Sequence, residues 1–354
     1  MTDVAAQVAA EKVVAENVRG DQRGGAWARV SGIHGGGGLV LGLVGVALIL
    51  AWVGSDGYRQ TLVITTVTYA LVALGIYIPY VMAGSLSMAY AAYAAIGAYT
   101  VGLISNKTSL PLWLAWIVGP IAAAVLAVLL GMVTRRLSGF FLAAVTLLFG
   151  LAFAAFLIDA ERLTGGAGGL GDLRKLSILG WQPTSYQVVV ASALGVCVIA
   201  FLLDRLRMSP WGVTLRTMRD APRAVEASGV RVPVMKLVAL GLGASVAAIG
   251  GTVFTYSVGS VSPDTFKLDL VFLAIFMPLL GGSGTPWGAV LGAVIAVELT
   301  LNLNIPNVNL SGTLILAVGV LIVMLVAPRG VIGYADRLRR WVTALVAGRR
   351  NGRG

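Results

Sequence analysis

The chain has 354 residues, of which 58% are hydrophobic and only 12% charged. Soluble domains carry about 25% charged residues, so these apolar side chains do not fill a water-bounded core, and the sequence reads as an all-α polytopic membrane protein. The net charge of +11 suits nucleic-acid binding or membrane orientation; the second accounts for it better, because the arginines cluster between hydrophobic runs.

In chain order, residues 1–37 are polar and rich in Ala, Gly and charge, with Arg19, Arg23 and Arg29. They read as a cytoplasmic N-terminal extension ending in a flexible Gly35–Gly38 hinge, without the pattern of a cleavable signal peptide. A spanning helix needs about 20 apolar residues to cross about 30 Å. Runs near that length fall at 38–54, 61–83, 86–104, 112–134, 139–158, 186–203 and 237–258. A long run over 270–303 is broken at 281–286, and a last run covers 312–327. Counting the broken run twice gives ten segments, so about 8–10 transmembrane helices are expected within a membrane domain over 38–334.

Lysine and arginine set the orientation. Arg135 and Arg136, then Arg205, Arg207, Arg216, Arg219, Arg223, Arg231 and Lys236, fall in alternate loops. The opposite loops hold few, such as Arg59, Lys107 and Lys267, and the outer 159–185 loop has Arg162, Arg174 and Lys175, partly offset by Asp159, Glu161 and Asp172. This bias puts both termini in the cytoplasm, with an even number of spans. The tail, 335–354, alternates arginine with Leu338, Trp341, Leu345 and Val346, as a basic amphipathic helix on an anionic leaflet would.

Several stretches stand out. The third run is dense in alanine, with Gly84 and Gly97, and carries the hydroxyls of Ser85, Ser87, Tyr90, Tyr93 and Tyr99. It suits a tightly packed helix or the wall of a pathway. Thr146 is a lone hydroxyl within the fifth run, of the kind that bonds its own helix. The glycine cluster Leu163-Thr164-Gly165-Gly166-Ala167-Gly168-Gly169-Leu170 is not a phosphate loop, because no Gly-Lys-Ser/Thr follows. The polar loop over 204–236 contains Ser209-Pro210, a helix start, with Trp211, Leu215 and Met218 on one face and Arg216, Arg219 and Arg223 on another. Asp220 and Pro222 restart a second short helix, which Gly229 closes. The loop fits either an ordinary basic connection or a pair of helices built to touch something outside the membrane. Glu298 is the one carboxylate well inside an apolar run, and Asn302 and Asn304 behind it put it near the outer surface.

Function classes narrow by what is missing. Cys197 is the only cysteine and His34 the only histidine, so no disulfide and no Cys/His catalytic or metal set can form. An ion-coupled secondary carrier usually shows intramembrane carboxylates or histidines, and only Glu298 qualifies. A membrane enzyme needs a nucleophile, base or metal set, and none is present. A permease driven by a separate ATPase needs neither, and the chain has no Walker motif of its own.

Read together, these segments resemble the LivM-type permeases of branched-chain amino acid ABC importers, over about 70–334. The likeness rests on Ser209-Pro210-Trp211-Gly212 through Glu226-Ala227-Ser228-Gly229, on Leu86-Ser87 through Gly97-Ala98-Tyr99, and on Arg136 through Thr146-Leu147. It extends to Leu163 through Leu170, Lys236 through Gly251, Val261-Ser262-Pro263, Gly281 through Gly288, and Ala327-Pro328-Arg329-Gly330. The family commonly has Gly followed by His or Gln at Ala89-Tyr90, and Tyr at Phe141.

The resemblance implies an ATPase-coupling surface at Trp211, Leu215, Arg216, Arg219, Glu226, Ala227 and Gly229. It implies a translocation path at Ser85, Ser87, Tyr90, Tyr93, Gly97, Thr146, Gly282 and Gly284, and a binding-protein contact at Thr164, Gly165 and Gly166. It also implies no cofactor in this chain, since ATP would bind a partner. The implied partners are a second, LivH-like permease, two ATP-binding subunits, a periplasmic amino-acid-binding protein and the lipid bilayer of a bacterial inner membrane, with no nucleic acid. Substrates would be branched-chain or related small amino acids; urea, short amides and aromatic acids use similar permeases.

Overall fold

The computed structural model describes residues 36–302, apart from 55, 138 and 175–181. Helices account for most of these residues, and no strand occurs among them. The expected run at 312–327, the tail over 335–354 and nearly all of the 1–37 extension lie outside the described residues.

α1 (Gly36–Val53) takes Gly36, Gly37 and Gly38 into its first turn, so these glycines begin a helix where a flexible hinge was expected. α2 (Gly57–Ile76) is capped by Asp56, whose carboxylate accepts the Tyr58 N–H at 3.0 Å. It then widens into a π turn, Tyr77–Met82. Pro79 lies in that turn, where its missing N–H and its ring break the regular α ladder.

The chain is non-helical over 84–89 before α3 (Tyr90–Lys107) begins. The apolar pattern points to a helix from 86, but side chains take the backbone donors instead. The Met88 N–H donates to Thr146 Oγ1 at 2.9 Å, and the Ala89 N–H to Ser87 Oγ at 3.5 Å. Side-chain acceptors of this kind compete with a helical start.

α4 (Ala115–Val133) and α5 (Phe140–Asp159) follow. α6 (Ser185–Met208) opens on a Thr184/Gln187 capping box. Two short helices, α7 (Pro210–Asp220) and α8 (Pro222–Ala227), lead to the long α9 (Val232–Val258). The polar loop expected over 204–236 is therefore shorter, 209–231. Arg205 and Arg207 in the last turn of α6 favour its extension, since cations suit a helix C-terminus.

α9 is the centre of the bundle and lies against α2, α3 and α4. With no hydrophobic force between helices in lipid, close backbone approach has to supply the packing. A Cβ at Gly97 of α3 would lie 2.0 Å from the Ala248 carbonyl oxygen of α9, and one at Gly251 would lie 1.9 Å from that of Ala94. Thr252 and Ser245 add hydroxyl bonds across the contact, to the Gly97 carbonyl at 3.3 Å and the Pro120 carbonyl at 3.1 Å. α4 and α5 sit outside, exposing Ile117, Ile121, Val125 and Leu129, and Phe140, Phe141 and Leu148.

The broken run forms α10 (Leu268–Gly281) and α11 (Pro286–Val297), bent by 117° at the break. Their 14 and 12 residues rise about 21 and 18 Å, short of the ~30 Å a span needs. By length and composition the pair counts as one span at most among the described residues, where the sequence counted two. The arms meet backbone to backbone: a Cβ at Gly292 would lie 1.8 Å from the Met277 carbonyl oxygen. Among the described residues, five helices are long and apolar enough to cross a membrane, or six with the bent pair as one span. α3 is buried along nearly its whole length.

Candidate functional site

The α7–α8 pair closes one end of the bundle. Ser209 Oγ accepts the Gly212 N–H at 3.3 Å and Pro210 fills the first helical position, as the sequence indicates. Leu215 and Met218 are buried to 0% and 1% exposure, in the cluster that holds Tyr77 and Met82 of the π turn. Trp211 packs against the same cluster, and Val225 anchors α8. The apolar face read from the sequence thus points into the chain.

Two of the arginines bond main-chain carbonyls. Arg216 donates from Nε to the Gly212 carbonyl at 3.4 Å and from Nη2 to the Arg207 carbonyl at 3.3 Å. Arg219 donates from Nη1 to the Val81 carbonyl at 2.7 Å. Arg219 nonetheless stays half-exposed, at 51%, and Val213, Thr217, Asp220, Arg223, Glu226 and Ala227 are also on the outside. Gly229, also exposed, ends the pair at φ +85°.

Asp204 escaped the sequence reading. It is 1% exposed near the end of α6, with Arg207 Nη1 at 3.8 Å. Its signal was available: an acid in the last turns of a helix opposes the macrodipole, and an arginine follows at i+3.

The residues expected along a path converge, but as packed structure. Ser85, Ser87, Tyr90, Tyr93, Gly97 and Thr146 are all buried. Tyr90 donates its hydroxyl to the Gly75 carbonyl at 3.3 Å and meets Tyr93 edge-on at 5.4 Å between ring centres. Thr146 donates to its own helix, at the Leu142 carbonyl (2.8 Å), while accepting from Met88. Gly282 is buried and Gly284 exposed, at the tip of the α10–α11 hairpin. Glu298 is exposed at the start of the π turn that follows α11.

At the other end, the glycine cluster folds against the segment after α9. Leu170 and Val261 exchange backbone hydrogen bonds at 2.8 and 2.9 Å. Thr164 is buried, donating to the Leu157 carbonyl at 2.6 Å and accepting the Gly166 N–H at 3.2 Å. Thr164, Gly165 and Gly166 therefore sit together as the internal frame of this loop, while Arg162, Leu163, Ala167 and Gly168 are exposed. Arg174 donates to the carbonyls of Ile104 (2.8 Å), Ser105 (2.9 Å) and Thr108 (2.7 Å), capping α3.

A cleft of about 710 Å³ opens at this end, lined by Gln60, Thr61, Arg174, Thr184, Thr255 and Tyr256 among others. That volume falls within the ~300–1,000 Å³ usual for small-molecule sites. None of the residues expected along the path lines it.

An all-helical membrane bundle with a bent half-helix pair, a polar helix pair at one end and a cleft at the other is the architecture of a polytopic membrane permease. The chain belongs to the family described as branched-chain amino acid transport system / permease component, whose model matches residues 58–327. It is similar to the high-affinity branched-chain amino acid transport system permease protein LivM of Escherichia coli K12, 29% identical over 266 residues. That match covers 68% of this chain and 62% of the relative. LivM of Salmonella typhimurium is 28% identical over 257 residues, 66% of this chain and 60% of the relative. The chain thus spans about three fifths of the length of these two. The fructose import permease protein FrcC of Rhizobium meliloti is 28% identical over 144 residues, 39% of each chain. No solved structure matches the chain.

Proposed function

We propose that the chain is the membrane-spanning permease subunit of an ABC importer for branched-chain or related small amino acids, powered by ATP hydrolysis on a separate subunit. The observation that carries this reading is the α7–α8 pair. Leu215, Met218 and Val225 are locked into the bundle, while Val213, Thr217, Arg219, Asp220, Arg223 and Glu226 stay exposed. An ordinary loop has no need of two helices fixed in this way. The exposed side is a platform on which an ATPase subunit docks.

On this reading the α7–α8 end is cytoplasmic and the cleft faces the opposite side. A solute released there by a binding protein enters between α2, α6 and α9. The exposed apolar faces of α4 and α5 meet lipid and a second permease subunit. The names of the LivM relatives support amino acids as the cargo.

The double substitution Glu226→Arg with Gly229→Val tests the docking role. Valine is strained at the φ of +85° held by Gly229, and arginine reverses the exposed charge. Expected is loss of both ATPase-subunit pull-down and ATP-dependent uptake, with normal membrane insertion. Normal uptake by the double variant overturns the assignment.

A further inference from the structure

Arg219 joins two parts of the molecule that are 138 residues apart in sequence. It leaves the last turn of α7 and caps the Val81 carbonyl at 2.7 Å. That carbonyl belongs to the π turn ending α2, where a helix has carbonyls to spare. The stem of the same side chain lies over Gly84: a Cβ there would sit 2.9 Å from Arg219 Cγ. Gly84 itself has φ +66°.

The 79–84 turn is closed by its own bonds, Ala83 N–H to Ile78, Gly84 N–H to Tyr80 and Ser85 N–H to Pro79, at 3.2, 3.2 and 2.7 Å. It hands the chain directly to 84–89, where Ser85 and Ser87 are buried and Met88 is tied to Thr146 of α5. α3 starts at the next residue, its Tyr90 bonded back to Gly75 of α2. One arginine therefore grips the turn that fixes where this segment enters the bundle. Arg219 itself stays half-exposed, at 51%, and Asp220, at 4.0 Å from its Nε, is more exposed still and holds it only loosely.

We infer that Arg219 is a positioning residue that carries movement of α7 into the 84–89 segment, through the Val81 carbonyl and Gly84, and does not itself bind the ATPase subunit. The inference rests on the reading of α7–α8 as the docking platform. It adds a route: displacement of the platform pulls the π turn, and the π turn repositions the start of α3.

The test uses the full transporter with its partner subunits in proteoliposomes, with wild type, Arg219→Ala, Arg219→Lys and Gly84→Ala. Three quantities are read: ATPase-subunit co-purification, ATP hydrolysis, and solute taken up per ATP. For Arg219→Ala and Gly84→Ala, co-purification and hydrolysis are expected to persist while uptake per ATP falls about tenfold or more, the scale of ordinary inter-site coupling. Lysine keeps one donor for the Val81 carbonyl, so Arg219→Lys should recover part of the loss. Unchanged uptake per ATP in Arg219→Ala and Gly84→Ala overturns the inference, and so does loss of co-purification in Arg219→Ala, which would put the side chain at the interface. If the wild-type chain retains no ATPase subunit, the docking reading itself fails.

Discussion

At the scale of single residues, glycine decides how near the helices come. Gly97 and Gly251 sit where α3 and α9 touch through main-chain atoms, and Gly195 of α6 faces open space, with nothing within 4 Å of a Cβ placed there. Valine at 97 has to force the helices apart, because a carbonyl oxygen cannot move aside as a flexible side chain does. Gly97→Val is expected to cost about 1–3 kcal/mol or more, the usual toll of overpacking, and Gly195→Val little. Thermal unfolding of the two variants in detergent checks this; equal melting temperatures would refute the packing account. The same scale shows what sequence conceals. Leu215 and Met218 were legible as a face because their spacing is helical. The bonds of Arg216 and Arg219 were not, because their acceptors are backbone carbonyls, which every residue has.

At the scale of elements, hydrophobic runs announced the helices well: eight of the runs marked in sequence coincide with helices among the described residues. The departures come from bonds between distant segments. Met88 is drawn from helix by Thr146, 58 residues on, and the bent pair fails as two spans because its arms turn back on each other. The capped end of α3 is a further case. Its last carbonyls lack intrahelical donors, and Arg174 supplies them from a loop about 65–70 residues later. Arg174→Ala is expected to destabilise that end by about 1–2 kcal/mol, the scale of hydrogen bonds from a charged donor, with discount for its partial exposure. Hydrogen exchange should then quicken over 104–112 and hold steady in α9. Uniformly unchanged exchange would show that Arg174 is no cap.

At the scale of the whole molecule, the question is where selectivity resides. An amino-acid zwitterion held firmly inside a membrane needs charge-assisted partners for its carboxylate and ammonium. The buried hydroxyls of Ser87 and Thr146 are spent on the helix start and packing, and the cleft offers mainly hydroxyls and amides beside an Arg174 already engaged with carbonyls. A helix N-terminus can add stabilisation of the order of 1 kcal/mol. On the proposed function, a weak site also serves transport, since tight binding would slow release. Substrate binding to the isolated permease pair is therefore expected at about millimolar affinity, near 4 kcal/mol, with selectivity following the binding protein when binding proteins are exchanged between compatible systems. Calorimetry on the detergent-solubilised pair, without binding protein, measures the first; uptake competition after the exchange measures the second. Micromolar, stereospecific leucine binding to the pair alone would overturn this expectation and move recognition into the bundle, with Tyr90, Tyr93 and the α10–α11 break as the first positions to substitute.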